Sequence, residues 1–113
     1  MLAKQHRLAK ERDFKKVNAT GRSFFSPQFR LRHIANGFDV SRFGIVTSAK
    51  LSKKAVVRNR VRRQVSEILR LNNKKIVAGQ DVVVWVRPPA LNKAYQELEE
   101  KLLGLFKKAK LLL

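Results

Sequence analysis

The sequence has no cysteine, only eight acidic residues, two histidines, one tryptophan and one tyrosine among its 113 residues. Without cysteine there are no disulfides and no thiolate-bound metal. An autonomous hydrolase needs a general acid and base, or carboxylates and histidines spaced to hold metal. His6 falls in the N-terminal arm, His33 shares a strand face with Phe29 and Leu31 and reads as structural, and Glu97, Glu99 and Glu100 read as a solvated helix face balancing Lys93 and Lys101. No nucleophile motif and no Gly-rich phosphate loop is present. Long apolar runs are missing too. The longest, Val82 to Val86, falls far short of the ~20 residues that span a bilayer, and Met1 to Lys16 contains no signal-peptide run. The expected setting is cytoplasmic, with no membrane partner. No linker, repeat or low-complexity stretch divides the chain, so one domain over residues 1–113 is expected, with about residues 1–7 as a mobile basic arm.

What the sequence has in excess is positive charge: 26 Lys and Arg against 8 Asp and Glu, a net charge of +18 and a pI near 11.4. A folded domain this basic repels itself unless a polyanion neutralises it, and a pI above ~9 is part of the footprint of a nucleic-acid binder. The charge is concentrated. Residues 50–75 hold ten basic groups and one acid, so +9 of the +18 lies in 26 consecutive residues. A surface kept merely soluble does not need that concentration, whereas a docking site for phosphates does.

The hydrophobic pattern gives a helix over Glu11 to Ala19, with Phe14 and Val17 on one face and Gly21 as its stop. Gln28 to Ile34 alternates as a strand, with Phe29, Leu31 and His33 opposite Arg30 and Arg32. A short strand at Ser23 to Ser26 is weakly marked. Asn36-Gly37 predicts a hairpin turn, and Arg42 to Ser48 is a second strand or the return of that hairpin. Ser52 is placed to cap a long helix from Lys53 to Leu71. Asp81 to Arg87 is a fully apolar strand, buried on both faces or central in a sheet, and Pro88-Pro89 ends it. Asn92 is placed to cap a last helix to about Lys110, with Tyr95, Leu98, Leu102, Leu105, Phe106 and Ala109 in one stripe. Alternating helices and strands predict a layered α/β fold.

The long helix is the informative segment. At ~100° per residue, Val57, Val61, Val65, Ile68 and Asn72 gather on one side. Asn59, Arg63, Ser66 and Arg70 gather opposite, with Arg62 beside them and Arg58 and Arg60 at the edges. An ordinary solvated face mixes both signs of charge, but Glu67 is the only acid between Lys50 and Lys75. Arginine suits phosphate because its planar fork donates two parallel hydrogen bonds. Lys53 and Lys54 add charge at the helix N-terminus, which itself attracts anions.

Arg58-Asn59-Arg60 followed by Val61-Arg62-Arg63 resembles the Arg-Asn-Arg signature of the bacterial ribonuclease P protein family. The flanks agree: Arg42-Phe43-Gly44-Ile45 to Ser48-Ala49-Lys50 before it, Asp81-Val82-Val83-Val84 with Arg87 after it, and Leu8, Asp13-Phe14 and Val17 at the start. The resemblance covers nearly the whole chain. It implies an α+β fold, a two-layer α-β-β-β-α-β-α sandwich with a left-handed β-α-β crossover, against the usual right-handed preference.

The resemblance further implies a non-catalytic protein subunit of a ribonucleoprotein endonuclease. The protein binds a catalytic RNA and the 5′ leader of precursor tRNA, and assists removal of that leader. The RNA carries the active site and its Mg2+, so no cofactor is expected on the protein, and no obligate protein partner. By position, Lys53, Lys54, Arg58, Asn59, Arg60, Arg62, Arg63 and Arg70 are RNA-binding candidates, and Phe14, Arg32, Ser48, Lys50 and Arg87 are leader candidates. The chain departs from the family at Asn18 and Arg32, where members often or sometimes carry an aromatic, and at Ala49-Lys50, where two lysines are common. Arg30 or Arg32 then offers phosphate contacts in place of stacking. Phe14 is open to core packing as well as leader contact, and Phe29, Phe43 and Trp85 read as core. The alternative function is a structural ribosomal RNA-binding protein, of similar size and charge. A DNA-binding module with its basic helix in a major groove and a membrane-active protein with a Leu111-Leu112-Leu113 tail are further rivals.

Overall fold

A computed structural model describes residues 2–113. Its elements are α1 (Glu11–Thr20), β1 (Arg22–Phe25), β2 (Phe29–Ala35), β3 (Arg42–Val46), α2 (Ala55–Asn72), β4 (Gln80–Val86) and α3 (Tyr95–Lys108). This is the expected α-β-β-β-α-β-α order. Short 3-10 turns occupy Lys4–His6, Asn73–Lys75 and Pro88–Ala90.

The four strands form one sheet in the order β1-β2-β4-β3. β1 and β4 run antiparallel to β2, while β3 runs parallel to β4. The apolar run of β4 is thus central, as its composition predicts. The hairpin expected at Asn36-Gly37 is not a hairpin, because β4 lies between the two strands that the turn joins. The turn itself is present. Gly37 has φ +75°, the Asn36 side chain accepts from the Phe38 N–H at 2.7 Å, and it donates to the Val40 carbonyl at 3.1 Å and to Asp81 at 2.9 Å. The Asn36 backbone N–H bonds to Gly79 rather than to the returning strand.

Side chains alternate across the sheet. Phe29, Leu31, Phe43, Val82, Val84 and Val86 face α2 and α3, meeting Val61, Val65, Ile68, Leu69, Leu98, Leu102, Leu105 and Phe106 in the main core. On the other face Val83 packs with Val17 and Leu8, joined by the half-buried Phe14, Ile34, Val46 and Trp85. Only α1 and the N-terminal segment cover this second face, and only in part. α1 contributes one fully buried side chain, Val17, so its apolar anchoring, with half of Phe14, is on the order of 3–5 kcal/mol at most.

Polar links reinforce that anchoring. Arg42 reaches Asp81 through two hydrogen bonds, at 2.8 and 2.6 Å, and Asp13 of α1 at 3.5 Å. Asp81 is buried, and its hydrogen bonds and charge raise the Arg42 pKa above its ordinary value. Arg32 donates from Nη1 to the Asn18 carbonyl near the end of α1. Gly44 supplies the fit. A Cβ there would lie 2.5 Å from both Cε1 and Cζ of Phe14, so the aromatic ring seats on bare backbone.

Two caps differ from expectation. α2 begins at Ala55, not Lys53, and Lys54 occupies the cap position without a side-chain bond. Ser52 instead turns the chain before the helix, accepting from the Lys54 N–H at 3.2 Å. α3 begins at Tyr95, because Asn92 adopts φ +67° and cannot cap it. The N-terminal segment expected as a mobile arm is placed against the sheet: Leu2 is buried, Arg7 bridges Phe43, and His6 Nδ1 lies 2.9 Å from the Ser41 carbonyl. Met1 lies outside the described residues. The Leu111–Leu113 segment pairs with the chain after α2, through Val77 N–H to Leu111 and Leu113 N–H to Lys75, and Leu111 is buried. No helix among the described residues is long and apolar enough to cross a membrane.

Candidate nucleic-acid interface

The periodicity of α2 fixes which of its residues face outward. Val61, Val65, Ile68, Leu69 and Asn72 are buried, nearly the face expected; Val57 is half-buried and Leu69 joins in its place. Asn59, Arg60, Arg62, Arg63 and Arg70 are exposed, as are Lys53 and Lys54 just before the helix, and Arg58 is half-buried. The signature arginines differ in what they touch. Arg58 donates to the Ser52 carbonyl at 2.8 Å, bracing the approach to the helix. Arg62 donates to the buried Thr47 hydroxyl at 2.7 Å, tying α2 to the end of β3. Arg70 pairs with Glu67 at 2.5 and 3.0 Å. Its hydrogen bonds pull the half-buried Glu67 carboxyl down to about 2. Arg60 and Arg63 form no ion pair with any described residue. The row is therefore a set of guanidiniums that the protein leaves largely unneutralised, two of them held by backbone or hydroxyl oxygens that take no charge away.

A second basic concavity lies on the partly covered face of the sheet. Arg30, Val46, Ser48, Lys50, Trp85 and Arg87 line a cavity of about 460 Å³ beyond the end of β3. Ser48 accepts from the Lys50 N–H at 3.3 Å, a turn that leaves the Lys50 ammonium outside. Arg87 reaches the Ser26 carbonyl at 3.3 Å. Of the five leader candidates, Ser48, Lys50 and Arg87 come together here. Phe14 does not line this cavity. It borders the neighbouring hollow with Leu8, Gly44 and Arg62, joined to Val46 and Trp85 through the apolar cluster on that face. Arg32 is turned away to Asn18 and serves α1 instead.

Arg30, expected as a phosphate contact in place of stacking, lines this cavity, and Trp85 beside it was not among the expected site residues. Arg30 sits with its guanidinium carbon 5.0 Å from the Trp85 ring centroid. Trp85, read as core, is only half-buried. The available signal was the strict alternation of β4, which sends Trp85 to the face opposite Val84 and Val86.

Among the described residues, no group of three or more histidines and carboxylates could hold a metal ion. Of the clustered acids on α3, Glu97 pairs with Lys93 at 3.9 Å as expected, while Glu99 accepts from the buried Asn72 at 3.0 Å and joins α3 to α2.

Comparison with known proteins gives the same direction. The family model for Ribonuclease P matches residues 2–110. The chain is 35% identical over 107 residues to the ribonuclease P protein component of Alkaliphilus oremlandii, covering 95% of this chain and 93% of that one. It is 38% identical over 113 residues to that of a Pseudanabaena species, covering 99% and 97%. Among solved structures, the ribonuclease P protein of Thermotoga maritima superposes with a TM-score of 0.83 at 37% identity, over 90% of this chain and 96% of that one. A mutant of the Staphylococcus aureus ribonuclease P protein, described as defective in mRNA degradation activity, gives 0.89 at 29% identity, over 96% and 91%. With the signature helix, the sheet order and these matches in agreement, the chain belongs to the ribonuclease P protein family.

Proposed function

We propose that the chain works as the non-catalytic subunit of ribonuclease P, with α2 docked on the catalytic RNA and the basic concavity beside β3 receiving the 5′ leader of precursor tRNA. The observation that carries this reading is the arginine row, mostly exposed and largely unneutralised, on one face of a helix whose other face is core. Guanidiniums held at fixed spacing neutralise phosphates and release their counterions. A-form RNA has a major groove too narrow for a helix, so readout rests on shape and backbone. Arg58 and Arg62, braced by Ser52 and Thr47, hold the row in register with the sheet. The helix and the concavity then present two basic surfaces on one rigid body, and a leader bound in the second adds contacts that mature tRNA lacks.

Hydrolysis belongs to the RNA and its Mg2+ in this reading. The chain's own groups support that division, since its histidines bond within the fold and its carboxylates are scattered. A structural ribosomal protein shares the size and charge, but a family match over residues 2–110 favours the ribonuclease P role. The test is cleavage of precursor tRNA by the cognate RNA at low magnesium, with and without this chain. Cleavage is expected to rise on adding the chain, leaderless tRNA is expected to compete more weakly than precursor, and the chain alone is expected to cleave nothing. Site-specific 5′ processing by nuclease-free protein without RNA overturns the assignment of the chemistry.

A further inference from the structure

Rows of side chains run across the sheet on the face that α1 partly covers. One row, read from the strand registers, is Ser23, Arg32, Val83 and Gly44. α1 closes it: Phe14 seats on Gly44, Val17 on Val83, and Arg32 bonds Asn18. The next row is Phe25, Arg30, Trp85 and Val46, and only its β1 end departs. Phe25 borders the groove beside α3 instead. Arg30 is exposed, Trp85 and Val46 are half-buried, and the three form one wall of the 460 Å³ cavity that Ser48, Lys50 and Arg87 complete.

Arg30 and Trp85 are direct cross-strand partners, so the sheet register itself sets the guanidinium over the indole. No carboxylate pairs with Arg30 among the described residues. An arginine held over an aromatic ring is a planar cation with reduced freedom to move, and guanidinium planes stack on unpaired nucleobases. Lys50 and Arg87 at the rim are placed for the phosphates on either side.

We propose that Arg30, held over Trp85, is a base-binding platform that holds one unpaired nucleobase of a single-stranded RNA in this cavity, with Trp85 as the positioning residue. The proposal rests on the reading of the concavity as the leader path, and adds a stacking subsite where the chain carries Asn18 and Arg32 instead of aromatics. Because every base has a π-face, the subsite is tolerant of sequence, and the larger purines gain most.

Trp85 is the only tryptophan in the chain, so its emission reports on the platform directly. The full chain is titrated with a short single-stranded leader RNA carrying an end label, and followed by label anisotropy and tryptophan emission together. Emission is expected to change in step with anisotropy, and not to change with an oligomer abasic throughout. Arg30→Lys, which keeps the charge but loses the plane, is expected to weaken binding about tenfold and to erase the preference for the intact over the abasic oligomer. Trp85→Leu should do the same and Trp85→Phe should not, each checked by thermal unfolding. Emission that stays flat while anisotropy saturates, or an Arg30→Lys variant that binds like the parent, overturns the platform. The double variant Lys50→Ala, Arg87→Ala separates this from the cavity reading. If it weakens binding while emission stays silent, the platform alone falls; if it leaves binding intact as well, the leader path itself is elsewhere.

Discussion

Arg63 and Arg70 stand two turns apart on the same face of α2, yet their environments differ. Arg70 already has the Glu67 carboxylate, whereas Arg63 has no such partner among the described residues. An RNA phosphate must compete with Glu67 for Arg70, so Arg63→Ala is expected to weaken binding to the catalytic RNA more than Arg70→Ala, measured by filter binding at one fixed salt concentration. Equal losses would show that the pair opens at no cost. The Glu67 carboxyl offers a second check. Its pKa is held near 2, below the ~4.3 of an unfolded chain, so whatever stability the pair gives is complete above that value and is lost as pH falls toward 2. Following Glu67 by NMR, the titration midpoint should move back up toward the ordinary carboxylate range in Arg70→Ala. At this scale the sequence made the signature arginines legible through period and sign. It did not reveal that Arg32 is used up on Asn18, or that Trp85 is left half-buried at a cavity. Both depend on how far α1 extends over the sheet, which no local pattern encodes.

At the scale of elements, α1 is the adjustable part. It is held by Val17, by half of Phe14, and by the links from Arg42 and Arg32, so its seat on Gly44 matters. Gly44→Ala places a methyl 2.5 Å from the Phe14 ring and is expected to cost about 1–3 kcal/mol, read by urea unfolding. Adding Phe14→Leu should recover part of that loss, because the clash is with the ring edge. A Gly44→Ala protein as stable as the parent would mean that α1 shifts freely. The long helix and the central strand were legible because each has a clear period and length. The strand pairing was not. Asn36-Gly37 makes a local turn, but the partner of β2 lies some fifty residues further along, and β4 inserts between the strands the turn connects. Ser52 and Asn92 failed as caps for a related reason: Ser52 turns the chain two residues before the cap position, and Asn92 adopts a left-handed backbone that a cap cannot use.

For the whole molecule, the governing fact is a net charge of +18 on a fold whose few carboxylates are mostly committed to internal links. Arg42 with Asp13 and Asp81 holds the sheet and α1 together, while Arg60 and Arg63 pair with no acid among the described residues. The protein thus spends its anions on architecture and leaves its cations to a partner. The direct measurement is the slope of log affinity for the cognate catalytic RNA against log salt concentration, for the parent and for the Arg60→Ala, Arg63→Ala double variant. If these two guanidiniums contact phosphates, the slope should become shallower by about two, with thermal unfolding unchanged. The same slope and the same affinity in both proteins would contradict the assignment of α2 as the RNA-binding face.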